Sequence, residues 1–305
     1  MKKTLLGHFY ALLVTILVAL SFISSAKLAR IVNPISLTFL RFIIASSVLV
    51  PIIVIQNNWV KELHKVAWQG GLIGLLYAVY FISFFTSLES TTTLHTGTLY
   101  TLVPLLTAGF SIFIFKQPLS KLRFIVYLIG AVGTAWVIFD GNLKQLMAFK
   151  LNDGDYLFMI AVLATCGYSL FMKALVKDNF NISIFIFSVL GSGAIWMGAA
   201  MLLFDKPLNW ERITGSYIFH ISYLAIGATV MSFWFYQKAI LQLDPNKATA
   251  YIYLTPAFVA IFAYLFKLES FPNLSVQIGI VVSIVATLLL QFDRNTLKKN
   301  VKSKS

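Results

Sequence analysis

Long apolar runs dominate this chain, and their number and length limit its fold more than any other feature. The runs are bounded by charged residues, proline, asparagine or glycine, and they lie at 7 to 29, 35 to 56, 67 to 88, 92 to 115, 122 to 139, 154 to 174, 181 to 204, 216 to 240, 246 to 267 and 274 to 292. An α-helix needs about 20 mostly apolar residues to cross the hydrocarbon core of a bilayer. Ten such helices account for nearly all of the 305 residues, of which 59% are hydrophobic. The sequence therefore predicts an all-α membrane protein with ten transmembrane helices.

Basic residues are distributed unevenly between the predicted loops. With the amino terminus in the cytoplasm, sixteen Lys and Arg residues fall on the cytoplasmic side and seven on the outer side, while Arg41 lies within a span. Cytoplasmic loops carry such an excess, so we expect a multi-pass protein of the bacterial inner membrane with both termini in the cytoplasm. The net charge of +13 belongs to these loops and to a basic cytoplasmic tail at 294 to 305. We expect the lipid bilayer and a small-molecule solute as partners, and no nucleic acid.

A weak internal repeat divides the ten runs into five plus five. The aligned segments, given in pairs, are Leu102-Val103-Pro104 with Leu254-Thr255-Pro256 and Phe81 with Phe233 at a shift of 152, Ala26-Lys27-Leu28 with Met172-Lys173-Ala174 at a shift of 146, and Phe139-Asp140 with Phe292-Asp293 at a shift of 153. We expect one five-helix repeat at 1 to 140 and a second at 153 to 293. Because five is odd, the second copy would enter the membrane from the opposite face. Such inverted repeats are typical of transporters that work by alternating access.

The repeat also bears on the amino terminus. Met1-Lys2-Lys3, an apolar run and Ser24-Ser25-Ala26 together are similar to a signal peptide with its cleavage site. The same run has a counterpart at the start of the second repeat. We therefore interpret it as the first span.

The pattern resembles the ten-helix, two-repeat EamA-type branch of the drug/metabolite transporter superfamily. The resemblance covers nearly the whole chain, and it rests on Phe39-Leu40-Arg41-Phe42, on the Leu-x-Pro motif of the fourth and ninth spans, and on Leu268-Glu269-Ser270. The chain has Ala19-Leu20 where the family often has a Trp-Gly pair, and Gln117 where it often has Glu. The resemblance implies a transporter of a small organic metabolite. Export of an amino acid or related compound is the favoured expectation, and import of a nucleotide, sugar or cofactor-like metabolite is the alternative.

Acidic residues are absent from the middle of every predicted span. All eleven Asp and Glu residues fall in predicted loops or at span ends, and the four His residues are scattered. No catalytic residue, metal site or cofactor is expected from this pattern. It argues against a membrane-embedded lipid-modifying enzyme, the rival from another class, and against ion coupling through a mid-membrane carboxylate. A sensor or interaction protein remains a second rival, and the sequence gives no support for a homodimer.

Arg41 is the one charge that lies well inside a predicted span. Burying a guanidinium costs at least a few kcal/mol unless it is paired or hydrated. Arg41 either faces a cavity, where it would meet an anionic group of the solute, or it snorkels outward or ties helix ends together.

Two prolines, Pro104 and Pro256, occupy matching positions of the two repeats. Each lacks an amide hydrogen and leaves the carbonyl group four residues earlier without its helical partner. In a bilayer such a carbonyl needs another donor or a wet cavity. We interpret the two prolines as hinges at which the fourth and ninth spans bend, because they occupy matching positions. For either proline alone, an ordinary structural kink within a packed bundle is the alternative.

Helical spacing places hydroxyl groups and aromatic rings on one face of four pseudo-symmetric spans. The candidate solute-binding residues, together with Arg41, are Tyr77, Tyr80, Phe84, Thr101, Thr229, Ser232, Tyr236, Thr249 and Tyr253. Such a set would hold a compact, partly apolar metabolite by stacking and a few hydrogen bonds. The alternative is helix packing through small residues and buried hydroxyls. His95 and Lys247, at the starts of the fourth and ninth spans, are candidate gate residues or solvated helix-end charges.

The predicted topology can be tested with a reporter fused after Ser305. The reporter should be active as a cytoplasmic fusion, because an even number of spans returns the chain to the side on which it began. A reporter active only outside the cytoplasm would contradict the ten-span model.

Overall fold

The computed structural model describes residues 2–28, 31–91, 93–116, 118–176, 180–268 and 270–291. Within these ranges all regular secondary structure is helical, and ten helical segments are long and apolar enough to cross a bilayer, which confirms the prediction of ten transmembrane helices. They are numbered here as spans 1 to 10: Thr4–Ser25, Pro34–Val54, Trp59–Ser87, His95–Phe115, Lys121–Ile138, Asp153–Leu175, Ile182–Leu203, Ser216–Leu243, Pro245–Leu265 and Leu274–Gln291. The predicted basic tail, Phe292-Asp293, Glu269 and Gln117 lie outside the described residues.

Most predicted spans begin and end within a few residues of the observed ones, but span 3 begins eight residues before the predicted start. Its helix starts at Trp59, after Asn58 in the left-handed conformation. The first two turns carry the charged residues Lys61, Glu62 and Lys65, which interrupt the apolar run, and the last two form an i,i+3 ion pair. The helix therefore continues beyond the apolar run on which the prediction depended.

The helices pack in a pattern with approximate two-fold symmetry between the repeats. Span 3 packs against spans 6 and 7, and its counterpart, span 8, packs against spans 1 and 2. Span 4 packs against span 6 as span 9 packs against span 1. Spans 2 and 7 pair with each other, as do spans 5 and 10. Every one of these contacts joins the first half of the chain to the second, so the two repeats interlock.

Three spans depart from continuous α-helix. Span 4 is broken after Tyr100 and resumes at Val103, and span 9 contains a 3₁₀ segment at Ala250–Leu254. Pro104 and Pro256 each lie in the first turn of the α-helix that follows the interruption, where a missing amide hydrogen has no cost. Span 8 contains a π-helical stretch at Tyr223–Met231.

Small residues bring spans 3 and 7 into close contact. A Cβ atom on Gly70 would lie 2.2 Å from Ser188 Oγ and 3.1 Å from the Ser188 carbonyl carbon. Ser192 Oγ donates to the Gly70 carbonyl at 3.0 Å. Small residues that let backbones approach closely are the usual means of helix association in a bilayer. This contact fixes two helices of opposite repeats against each other.

Gly70→Ala should lower the free energy of unfolding by about 1 to 2 kcal/mol, because the new methyl group overpacks the contact and the gain in helix propensity offsets only part of the cost. Gly71→Ala is the matched control, since nothing lies within 4 Å of a Cβ there. Thermal unfolding of the purified protein in detergent measures both. Equal stability of the two variants would contradict the proposed close contact.

Candidate functional site

A cavity of about 120 Å³ lies near the middle of the molecule, between spans 1, 3, 4, 6, 8 and 9. Aromatic rings and hydroxyl groups dominate its wall, and the described residues that line it include no charged side chain. The hydroxyl-bearing residues are Tyr77, Tyr80, Tyr100, Tyr168, Tyr236, Tyr251, Thr15, Thr165, Ser232 and Thr255. We call this the central cavity.

Stacked aromatic rings form part of the central cavity wall. Phe42 stacks on Tyr77, Tyr77 on Tyr168 and Tyr168 on Tyr236, with centroid distances of 5.4, 5.6 and 5.6 Å. Phe233 contacts two of these rings edge to face. These stacked rings belong to spans 2, 3, 6 and 8, so the stack joins the two repeats.

A second, larger cavity of about 680 Å³ opens at the face of the molecule away from the amino terminus. Spans 4, 5 and 9 and the segment before span 10 supply most of its wall, and Asp140 is the only charged residue among the described residues that line it. We call it the vestibule. It shares Tyr100, Ile252 and Thr255 with the central cavity. These three residues mark the junction at which the two cavities adjoin.

Four of the residues predicted from the sequence line the central cavity. They are Tyr77, Tyr80, Ser232 and Tyr236. The Tyr236 hydroxyl lies 2.8 Å from Ser169 Oγ.

Three further predicted residues lie in the vestibule wall or behind the wall of the central cavity. Thr101 and Pro256 line the vestibule. Phe84 stacks on Tyr80 at a centroid distance of 6.1 Å and supports it from behind without lining either cavity.

Sequence reasoning missed several residues of the central cavity. Tyr100, Thr15, Thr165 and Tyr168 contribute hydroxyl groups from spans 1, 4 and 6. A signal was present in span 6, where Thr165 and Tyr168 are three residues apart in an otherwise apolar run and thus share a helical face.

Arg41 lines neither cavity. Its side chain is buried between spans 2 and 8, where Nε donates to Thr229 Oγ1 at 2.8 Å and to the Leu224 carbonyl at 3.2 Å, and Nη2 donates to the Ala228 carbonyl at 3.3 Å. Among the described residues no carboxylate lies within salt-bridge distance of it. The acceptors belong to the π-helical stretch. Arg41 and Thr229 thus join two spans, and their role in solute binding stays a prediction.

The charge of Arg41 nevertheless acts on the central cavity. Its guanidinium carbon lies 5.4 Å from the Phe81 ring centroid, and that ring contacts Tyr77 and Tyr80 edge to face at 5.1 and 4.9 Å. The charge is therefore on the order of 10 Å from the cavity wall, where it attracts a unit negative charge by about 1.7 kcal/mol at an effective dielectric constant of 20.

His95 is hydrogen-bonded at the vestibule face. Its Nδ1 atom lies 2.7 Å from Asp155 Oδ2. The Asp155 carboxylate is buried and also accepts hydrogen bonds from Thr91 Oγ1 and from the Asn152 amide. The interaction joins the start of span 4 to the start of span 6, and its gate role stays a prediction.

The other predicted residues of span 9 lie away from both cavities. Lys247 is in the first turn, and its carbonyl accepts a hydrogen bond from Gln291 Nε2 at 3.4 Å. Thr249 is buried and donates to the Pro245 carbonyl within the same helix. Tyr253 is fully buried, and its hydroxyl donates to the Tyr127 carbonyl of span 5 at 2.9 Å.

Thr229→Val should lower the free energy of unfolding by about 2 kcal/mol, because it removes an acceptor from a buried charged group. The same substitution at Thr38, which is buried and donates only to the Pro34 carbonyl of its own helix, should cost about 1 kcal/mol or less. Thermal unfolding of both variants gives the comparison. If Thr229→Val proved as stable as Thr38→Val, the Arg41 interaction would contribute little.

Comparison with known proteins identifies relatives along most of the chain. The model of the EamA-like transporter family matches residues 5–139 and 152–292. The chain is 22% identical over 234 residues to "Uncharacterized transporter YyaM" of Bacillus subtilis (strain 168), with 76% of each protein covered. It is 24% identical over 306 residues to "S-adenosylmethionine uptake transporter" of Rickettsia prowazekii (strain Madrid E), with all of this chain and 97% of that protein covered.

The fold is also present among solved structures. One crystal structure superposes with a TM-score of 0.75 at 20% sequence identity, and the match covers 94% of this chain and 96% of that one. The family match extends over both halves of the chain and most of its length. The chain therefore belongs to the EamA-like transporter family.

Proposed function

We propose that this protein carries a compact organic metabolite, an amino acid or a related compound, across the bacterial inner membrane by alternating access. Export is the favoured direction, and both termini lie in the cytoplasm. The observation that carries the proposal is a tyrosine-lined cavity near the middle of the molecule, between spans of two interlocked repeats, which shares three wall residues with a vestibule on one face. A solute site at a repeat interface that opens to one side at a time is the arrangement that alternating access requires.

The wall of the central cavity supports a solute with a flat apolar part and a few polar groups. Six tyrosines line the cavity, and their rings stack well on planar groups while their hydroxyls exchange hydrogen bonds. The positive charge of Arg41 favours a solute that places a carboxylate, rather than a cationic group, in the central cavity. These properties fit an amino acid or related compound better than a phosphorylated solute, since the described residues that line the cavity include no basic side chain to neutralise a phosphate.

The size of the central cavity limits what it holds in this conformation. An apolar cavity of about 150 Å³ holds benzene, so about 120 Å³ accommodates roughly one ring or a short side chain. A larger solute would extend past Tyr100 and Ile252 into the vestibule. The relative named as an S-adenosylmethionine uptake transporter favours the second candidate, import of a cofactor-like metabolite, on the same path.

An untargeted comparison of metabolites inside and outside cells, with and without the gene, addresses solute and direction together. Export predicts that at least one amino acid or related compound accumulates inside cells that lack the gene. Its accumulation outside those cells would favour import. No difference, together with no saturable solute flux in proteoliposomes, would contradict a transport function.

Tyr80→Ala should reduce flux of the identified solute by about tenfold or more, because loss of one aromatic stacking partner costs up to about 1.5 kcal/mol in addition to the lost burial. Tyr80→Phe keeps the ring and should retain most of the flux. Tyr156→Ala is the control, since that side chain is 62% exposed on span 6. Unchanged flux in Tyr80→Ala at normal expression would remove this residue from the site.

A further inference from the structure

The walls of the vestibule have counterparts on the opposite face of the molecule. The repeat shift of 152 relates Thr101 to Tyr253 and Val259 to Thr107, and the shift of 153 relates Val137 to Leu290. Thr101, Val259 and Val137 line the open vestibule. In an inverted repeat, the same structural positions in the other half line the equivalent route to the other face. That route would lie between spans 4, 5, 9 and 10, near the face that carries the amino terminus, which we call the N-terminal face.

The counterpart residues are closed off from solvent. Tyr253, Thr107 and Leu290 are all buried. The Tyr253 ring lies against Gly130 of span 5 so closely that a Cβ atom there would be 2.6 Å from Tyr253 Cε2. The Tyr253 hydroxyl donates to the carbonyl of Tyr127, also in span 5. One aromatic ring thus fills the place that corresponds to the open vestibule wall.

Hydrogen bonds hold the same region closed. Ser111 Oγ of span 4 donates to Asn246 Oδ1 of span 9 at 2.7 Å. The Tyr127 hydroxyl of span 5 donates to the Asn246 carbonyl at 3.4 Å. Spans 4, 5 and 9 therefore meet at the start of span 9, on the N-terminal face.

Side-chain polar atoms without hydrogen-bond partners occur in the half of the molecule nearer the N-terminal face. Four glutamines each have at least one buried side-chain atom that makes no hydrogen bond within the described part of the chain: Gln69, Gln237, Gln242 and Gln291. All four lie in the halves of their spans nearer the N-terminal face. An unpartnered buried amide is costly, and water would satisfy it if this half opened. Gln291 is the repeat counterpart of Ile138, which lines the vestibule.

We propose that the N-terminal face contains a second vestibule between spans 4, 5, 9 and 10, closed in this conformation, and that Tyr253 seated on Gly130 is its gate. The proposal rests on the transport function proposed above. When the second vestibule opens, Tyr253 leaves Gly130, the Ser111 and Asn246 side chains separate, and Gln291 reaches water. The solute would then leave the central cavity past Tyr253.

The test uses thiol accessibility in a protein whose single natural cysteine, the buried Cys166, is replaced by alanine. Val259→Cys reports on the open vestibule, and Thr107→Cys reports on its counterpart. An impermeant maleimide is applied from each side of sealed vesicles. Val259→Cys should react from the vestibule side, and Thr107→Cys should react only from the N-terminal side. Ile186→Cys, buried in span 7 away from both routes, should react from neither.

Gly130→Ala should force the gate open, because the added methyl group and the Tyr253 ring cannot occupy the same space. We expect about tenfold faster labelling of Thr107→Cys and slower labelling of Val259→Cys, as a shift between two populated states requires. Gly109→Ala on span 4 is the matched control, since a Cβ there meets nothing within 4 Å. Leu290→Cys replaces Thr107→Cys if that variant does not fold.

Two results would contradict the proposal that Tyr253 is a gate. One is equal labelling of Thr107→Cys in the Gly130→Ala and Gly109→Ala proteins. The other is complete protection of both Thr107→Cys and Leu290→Cys in vesicles that sustain solute flux. Labelling needs no solute, so side-specific labelling without any measurable flux would count against the transport function and not against the gate.

Discussion

The structure depends on the need to satisfy backbone carbonyls where helices are interrupted inside a bilayer. Lipid offers no hydrogen bonds, so irregular backbone at membrane depth requires partners from the protein or a wet cavity. In span 9, the Tyr253 carbonyl accepts a hydrogen bond from Thr134 of span 5, and the Ala250 carbonyl accepts one from Thr287 of span 10. In span 4, the Val103 carbonyl accepts a weak hydrogen bond from the Cys166 thiol. Spans 5 and 6 thus each contact an interrupted span of the other repeat, as Arg41 contacts the π-helical stretch of span 8, whereas Thr287 acts within its own repeat.

The interruptions of spans 4 and 9 lie at the place where the two cavities adjoin. Tyr100 ends the first helix of span 4, and its repeat counterpart Ile252 lies in the 3₁₀ segment of span 9. Both line the junction of the central cavity and the vestibule. Of the two prolines that follow the breaks, Pro256 lines the vestibule.

The sequence predicts the helices because the length of an apolar run is a local property. It also places Tyr77, Tyr80, Ser232 and Tyr236 on one side of their spans, where they line the central cavity, because helical spacing combined with the repeat shift selects one helical face. The sequence does not predict that Tyr253 lies outside both cavities. The repeat assigns Tyr253 and Thr101 to equivalent positions, but Thr101 lines the vestibule whereas Tyr253 is buried against Gly130, and a sequence carries no information about which conformation is populated. The π-helical stretch also went unforeseen, since its composition is that of an ordinary apolar helix.

The uncharged wall of the central cavity has an electrical consequence. One elementary charge moved through a membrane potential of 100 mV changes in energy by about 2.3 kcal/mol. The described residues that line the cavity add no fixed charge to the path, and Arg41 is bound to carbonyl groups outside it. In the proposed alternating access, the wall of the central cavity would therefore move no fixed charge of its own through the membrane potential, which leaves the charge of the solute and that of Asp140 in the vestibule wall.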